Sequence, residues 1–96
     1  MIGLVATIKV KEGRTAEFEK TASELIKKVT ENEKGVLLYV LFKAEEPNTY
    51  VFMERYADQA ALDAHFTTEH MKTTGRAMGA CFDGRPELKR LQYVAG

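Results

Sequence analysis

Two strand-like runs, Val36-Leu37-Leu38-Tyr39-Val40-Leu41-Phe42-Lys43 and Thr49-Tyr50-Val51-Phe52-Met53-Glu54-Arg55-Tyr56, flank the turn residues Glu45-Glu46-Pro47-Asn48. Proline sets φ, and asparagine tolerates tight-turn backbone, so the three together read as a β-hairpin. In the first run Val36, Leu38, Val40 and Phe42 oppose Leu37, Tyr39 and Leu41. In the second, Tyr50 and Phe52 oppose Val51 and Met53. A strand points alternate residues to opposite faces, so this sheet is apolar on both sides.

Residues 2–10 give a further strand, in which Ile2, Leu4, Ala6, Ile8 and Val10 point one way and Val5 the other. Glu12-Gly13-Arg14 turns the chain. From Thr15, a candidate N-cap, Phe18, Ala22, Leu25, Ile26 and Val29 mark one face of a helix ending near Lys34-Gly35. Glu24 and Lys28 are spaced to pair on its wet side.

Past the hairpin, Asp58 caps a helix with Ala61, Leu62, His65 and Phe66 on one side, and Thr67-Thr68 interrupts it. A following helix places Met71, Gly75, Met78 and Phe82 together. Asp83-Gly84-Arg85-Pro86 is a turn, and Glu87 to Val94 alternates as a last strand.

The order β-α-β-β-α(α)-β is that of the α+β, ferredoxin-like split βαβ: one domain over residues 1–96, with a four-stranded antiparallel sheet. Its helices cover one face only. The other would expose more apolar surface than a monomer usually carries, which predicts a homodimer through the open sheet face.

The bulk composition narrows the function. Fourteen Lys+Arg against fourteen Asp+Glu leave no basic excess for phosphates, which argues against nucleic acid. No apolar run spans a bilayer, and Met1-Ile2-Gly3-Leu4 lacks the cationic start of a signal peptide. With Cys81 as the lone cysteine, the expectation is a cytoplasmic protein without a membrane partner.

Both histidines fall in His65-Phe66-Thr67-Thr68-Glu69-His70-Met71. Histidine is the one side chain whose unperturbed pKa lies near neutrality, so acid–base chemistry is expected here. His65 shares a helix face with Leu62 and Phe66 and should point to the sheet, either as a general base or as a core histidine bonded to a backbone carbonyl. His70, about 140° further round an ideal helix, lines a pocket mouth or lies on the surface.

Glu54 shares a strand face with Tyr50, Phe52 and Tyr56. A buried carboxylate needs a partner, so it should meet a histidine, an arginine (Arg76 or Arg90) or a tyrosine hydroxyl. The catalytic pair expected is His65 as base with Glu54 orienting it. His70, Tyr56, Phe66, Phe52 and Met71 are the substrate-binding candidates.

Met71, Met78, Phe18 and Leu25 line a cavity or simply form core. Cys81 has no nucleophilic dyad partner. The H-x4-H spacing lacks the i, i+4 geometry of helical zinc motifs, and the glycines form no phosphate loop, so neither metal nor cofactor is expected.

Glu54-Arg55-Tyr56, Ala61-Leu62-Asp63-Ala64-His65-Phe66 and His70-Met71, together with Glu12-Gly13 and Pro47-Asn48-Thr49-Tyr50, resemble the antibiotic biosynthesis monooxygenase domain family over nearly the whole chain. The family commonly has tryptophan at the position of Tyr56 and phenylalanine at that of Met71. Large apolar groups are kept at both.

The resemblance implies a dimeric α+β barrel and, for the quinol-monooxygenase-like branch, cofactor-independent oxygenation of a quinol, hydroxyaromatic or polyketide-like substrate by O2. Other family members isomerise or process small phosphorylated carbonyl signals, and many have no established reaction. The haem-degrading branch uses an asparagine, a tryptophan and a ligating histidine, where this chain has Ala6, His65 and Gly75. It contains no tryptophan, which sets that branch aside. The expected activity is a monooxygenase. A small-carbonyl isomerase and a non-catalytic dimeric ligand binder are the alternatives.

Overall fold

The computed structural model describes residues 1–96 in seven elements: β1 (Ile2–Lys9), α1 (Thr15–Asn32), β2 (Val36–Lys43), β3 (Thr49–Tyr56), α2 (Gln59–Phe66), α3 (Glu69–Gly79) and β4 (Glu87–Gln92). The strands form one antiparallel sheet in the order β2-β3-β1-β4. This is the α+β, ferredoxin-like arrangement the element order predicts. No helix is long and apolar enough to cross a membrane.

α1 buries Phe18, Ala22, Leu25 and Val29 against the sheet. Phe18 packs against Tyr50 with ring centroids 4.7 Å apart and the planes tilted by 45°. Each large apolar side chain removed from water here contributes about 1.5–3 kcal/mol. The N-cap position is held by Arg14, with no side-chain cap, and Thr15 is the first helical residue. Lys28 reaches Thr74 Oγ1 on α3 at 2.9 Å, tying the two helices together instead of pairing with Glu24.

Asp58 accepts from the Ala61 amide at 2.8 Å and starts α2. Thr68 accepts from the Met71 amide at 3.3 Å and starts α3, so the threonine pair does separate two helices. α3 ends at Gly79. Phe82 therefore lies beyond the helix, bridging to Val10 while packing on the core.

The second strand does not alternate as read from sequence. A bulge shifts the register between Val36 and Leu38, so Val36 pairs with Tyr56 and Tyr39 with Glu54. Val36 thus joins Tyr39 and Leu41 on the helix-covered face, and Leu37 is left exposed. The last strand also stops at Gln92 rather than Val94.

Across the covered face Tyr39, Glu54, Leu4 and Arg90 fall in one row. The opposite face has no helix over it. There Met53, Phe42, Leu38 and Leu91 are 41%, 55%, 37% and 45% exposed. A shallow depression forms where Gly3 offers no side chain among Val5, Leu38, Met53 and Leu91.

Candidate active site

Between the covered face and α2–α3 lies a cavity of about 260 Å³. Leu4, Ala6, Ile8 and Phe52 form its sheet wall, and Met71, Met78 and Phe66 its helical wall. Three polar side chains converge inside it, Tyr39, Glu54 and His65, and Arg85 stands at its edge beside Pro86 and Leu88.

His65 is 1% exposed and is boxed by aromatic rings, with centroids of Tyr39, Tyr56 and Phe66 at 5.2, 5.5 and 5.1 Å. It is bonded to a carboxylate, not to a backbone carbonyl. That carboxylate is Glu33: Nδ1 lies 3.0 Å from Oε1 and 3.2 Å from Oε2. Burial pushes the imidazolium below the usual histidine range, and the Glu33 charge opposes this only in part. A carboxylate only accepts, so the hydrogen of the neutral ring belongs on Nδ1 and Nε2 keeps its lone pair. Nε2 has no partner within the chain, and no fully buried side-chain nitrogen or oxygen is orphaned, so it opens to the cavity that His65 lines.

Glu54 therefore does not orient His65. Its partner is the third of the groups expected from sequence, a tyrosine hydroxyl. Tyr56 Oη donates to Glu54 Oε1 at 2.5 Å. The ion pairs of the chain are Arg14–Glu17, Glu33–His65 and Glu33–His70, so neither Arg76 nor Arg90 reaches Glu54. On the sheet, Arg90 is two strands from Glu54, about 10 Å, with Leu4 between them. Burial raises the Glu54 carboxyl to about 7, and the Tyr56 hydrogen bond offsets only part of this.

Of the substrate-binding candidates, Phe52, Phe66 and Met71 line the cavity, whereas Tyr56 and His70 do not. Tyr56 is fully buried with its hydroxyl spent on Glu54. His70, turned by the break at Thr67–Thr68, places Nε2 2.5 Å from Glu33 Oε2 instead.

Sequence reasoning missed Glu33 and Tyr39. Glu33 is the first residue beyond α1, in extended backbone, and no local motif marks it as a partner of residues 32 and 37 positions away. Tyr39 was visible only as an alternating strand residue. It lines the cavity with no intrachain partner for its hydroxyl, and burial, with Glu54 and Glu33 nearby, holds that phenol well above its ordinary pKa.

A four-stranded ferredoxin-like sheet backing an aromatic-walled pocket, with a buried imidazole inside, defines a class of small α+β proteins. The antibiotic biosynthesis monooxygenase family model matches residues 1–77, and the chain belongs to that family. It is similar to YcnE of Bacillus subtilis (strain 168), provisionally named a monooxygenase, at 40% identity over 73 residues, 75% of this chain and 76% of that one.

Among solved structures it is similar to a provisionally named antibiotic biosynthesis monooxygenase from Caulobacter crescentus CB15. That comparison gives a TM-score of 0.94 at 41% identity over 98% of this chain and 90% of that one. A second, titled antibiotic biosynthesis monooxygenase, matches with TM-score 0.88 at 28% identity over 99% and 100%.

Proposed function

We propose that the protein is a cofactor-independent monooxygenase of hydroxyaromatic or quinol-like substrates, with His65 as the base. The observation that carries this reading is the unpartnered Nε2 of a neutral, buried His65 on an apolar cavity. Triplet O2 reacts with organic anions by one-electron steps, so the protein's task is to make and shelter the anion.

His65 Nε2 takes the phenolic or enolic proton, and the Tyr39 hydroxyl donates to the oxyanion. Aromatic and aliphatic walls keep water from the reactive species. One oxygen of O2 then becomes a carbonyl on the activated carbon. The other leaves as water with the two hydrogens that carbon and oxyanion gave up. Glu54, poised near neutrality, is the second proton-transferring group of the cavity. Phe52, Phe66 and Met71 contact the ring system, and Arg85 at the edge suits an anionic substituent directed to solvent.

The same reading includes pairing of two copies through the open sheet face, where the apolar side chains Leu38, Phe42, Met53 and Leu91 are exposed. The test is O2 uptake with a panel of reduced naphthoquinones, catechols and anthrones. Uptake lost in His65→Ala supports the monooxygenase. Turnover without O2 supports an isomerase of enolisable carbonyl compounds using the same groups. No turnover, with aromatic ligands raising Tm, identifies a ligand binder.

A further inference from the structure

We propose that Glu33 and His70 form a positioning unit for His65, in which His70 pins the Glu33 carboxylate and the carboxylate fixes the ring that serves the cavity. This rests on the reading of His65 as base and deepens it. His65 faces the inner cavity and Glu33 does not. Glu33 lines a separate groove of about 240 Å³ on the outer side of α2, beside Lys34, Ala64 and Thr68, which His65 does not reach. The carboxylate thus touches no substrate and acts only through the ring at 3.0 Å.

One carboxylate serves two imidazoles. Oε1 and Oε2 both meet His65 Nδ1, and Oε2 also meets His70 Nε2. Glu33 has no other side-chain partner, and it sits on extended backbone after the helix end. Unpinned, its long side chain would be free to rotate toward the groove and to solvent. His70, 12% exposed on the first turn of α3, removes that freedom. Glu33 in turn sets which His65 nitrogen bears the hydrogen, and its charge stabilises the imidazolium that forms when Nε2 takes a proton. The charged and titratable groups around the unit are Lys34 next to Glu33, Glu54 and Tyr39 from the sheet, and Tyr56 against the His65 ring.

The experiment is 15N NMR of both histidine rings against pH, on the full chain without substrate. Its outcome is therefore independent of whether any oxygenation is found. In the wild type, His65 carries its hydrogen on Nδ1. Glu33→Gln keeps an acceptor and so keeps that tautomer, while the His65 pKa falls by about one pH unit on loss of the charge. Glu33→Ala gives a tautomer mixture. His70→Phe shifts His65 toward the same mixture although His70 makes no hydrogen bond to His65 and does not line the cavity. Backbone amide spectra establish that each variant is folded, and the Gln variant remains decisive if the Ala variant is not. A wild-type hydrogen on Nε2, an unmoved His65 pKa in Glu33→Gln, or no response to His70→Phe would each overturn the proposal.

Discussion

Tyr56 Oη donates to Glu54 Oε1 from two positions along the same strand, so both groups hang from one face of β3 with the carboxyl 8% exposed and the phenol fully buried. The bond satisfies the acceptor but does not replace the water the carboxylate has lost, and the carboxyl rises to about 7.

A pH dependence of stability follows. A carboxyl raised from an ordinary 4.5 to about 7 favours folding fully below about 4.5, and that contribution fades as pH climbs through 7. The difference corresponds to about 3 kcal/mol. His65 acts the other way, since its lowered pKa gives stability that is present above the usual histidine range and lost on acidification. In Glu54→Gln the first contribution is absent. Urea denaturation from pH 4.5 to 8 should show the variant gaining on the wild type as pH rises. A pH-independent difference would refute the assignment of the raised carboxyl to Glu54.

Glu33→Ala leaves the Nδ1–H of a buried ring without an acceptor. The expected loss is about 1–3 kcal/mol in denaturant unfolding, and less for Glu33→Gln, whose amide oxygen still accepts. Equal losses for the two variants would show that the contact is not a hydrogen bond of consequence.

Gly35→Ala tests the packing that brings the end of α1 to α2. A Cβ at Gly35 would stand 2.6 Å from Ala61 Cβ, closer than atoms allow, so α2 must move. The expected cost is about 1–3 kcal/mol, with altered His65 ring resonances because Glu33 and His65 sit on the separated elements. A variant as stable as wild type with unchanged ring signals would contradict the contact.

Met53→Asp places a charge in the open apolar face, 41% exposed in the single chain. In sedimentation equilibrium, the variant should run as a folded monomer at concentrations where the wild type is dimeric. A wild type that is itself monomeric throughout removes the proposed pairing.

The sequence carried the helices well, because their signals are local. The Phe18–Ala22–Leu25–Val29 spacing, the Asp58 cap and the threonine break all lie within a few residues of what they govern. Glu54 stood out as an acid among aromatics on one strand face, and a tyrosine hydroxyl was among its expected partners. The bulge in β2 left no trace, because a strand apolar on both faces carries no phase from which to detect a slipped residue. The Glu33–His65 contact was hidden for a different reason. It depends on where a helix end lands over another helix 32 residues later, and no spacing rule encodes that.

β3 runs through the middle of the sheet, with Phe52, Glu54 and Tyr56 on one side and Met53 and Arg55 on the other. The candidate site and the exposed apolar face therefore share a wall one peptide thick. On the proposed reading, a substitution at Met53 that alters pairing also disturbs the Glu54–Tyr56 pair carried on the reverse side of the same strand.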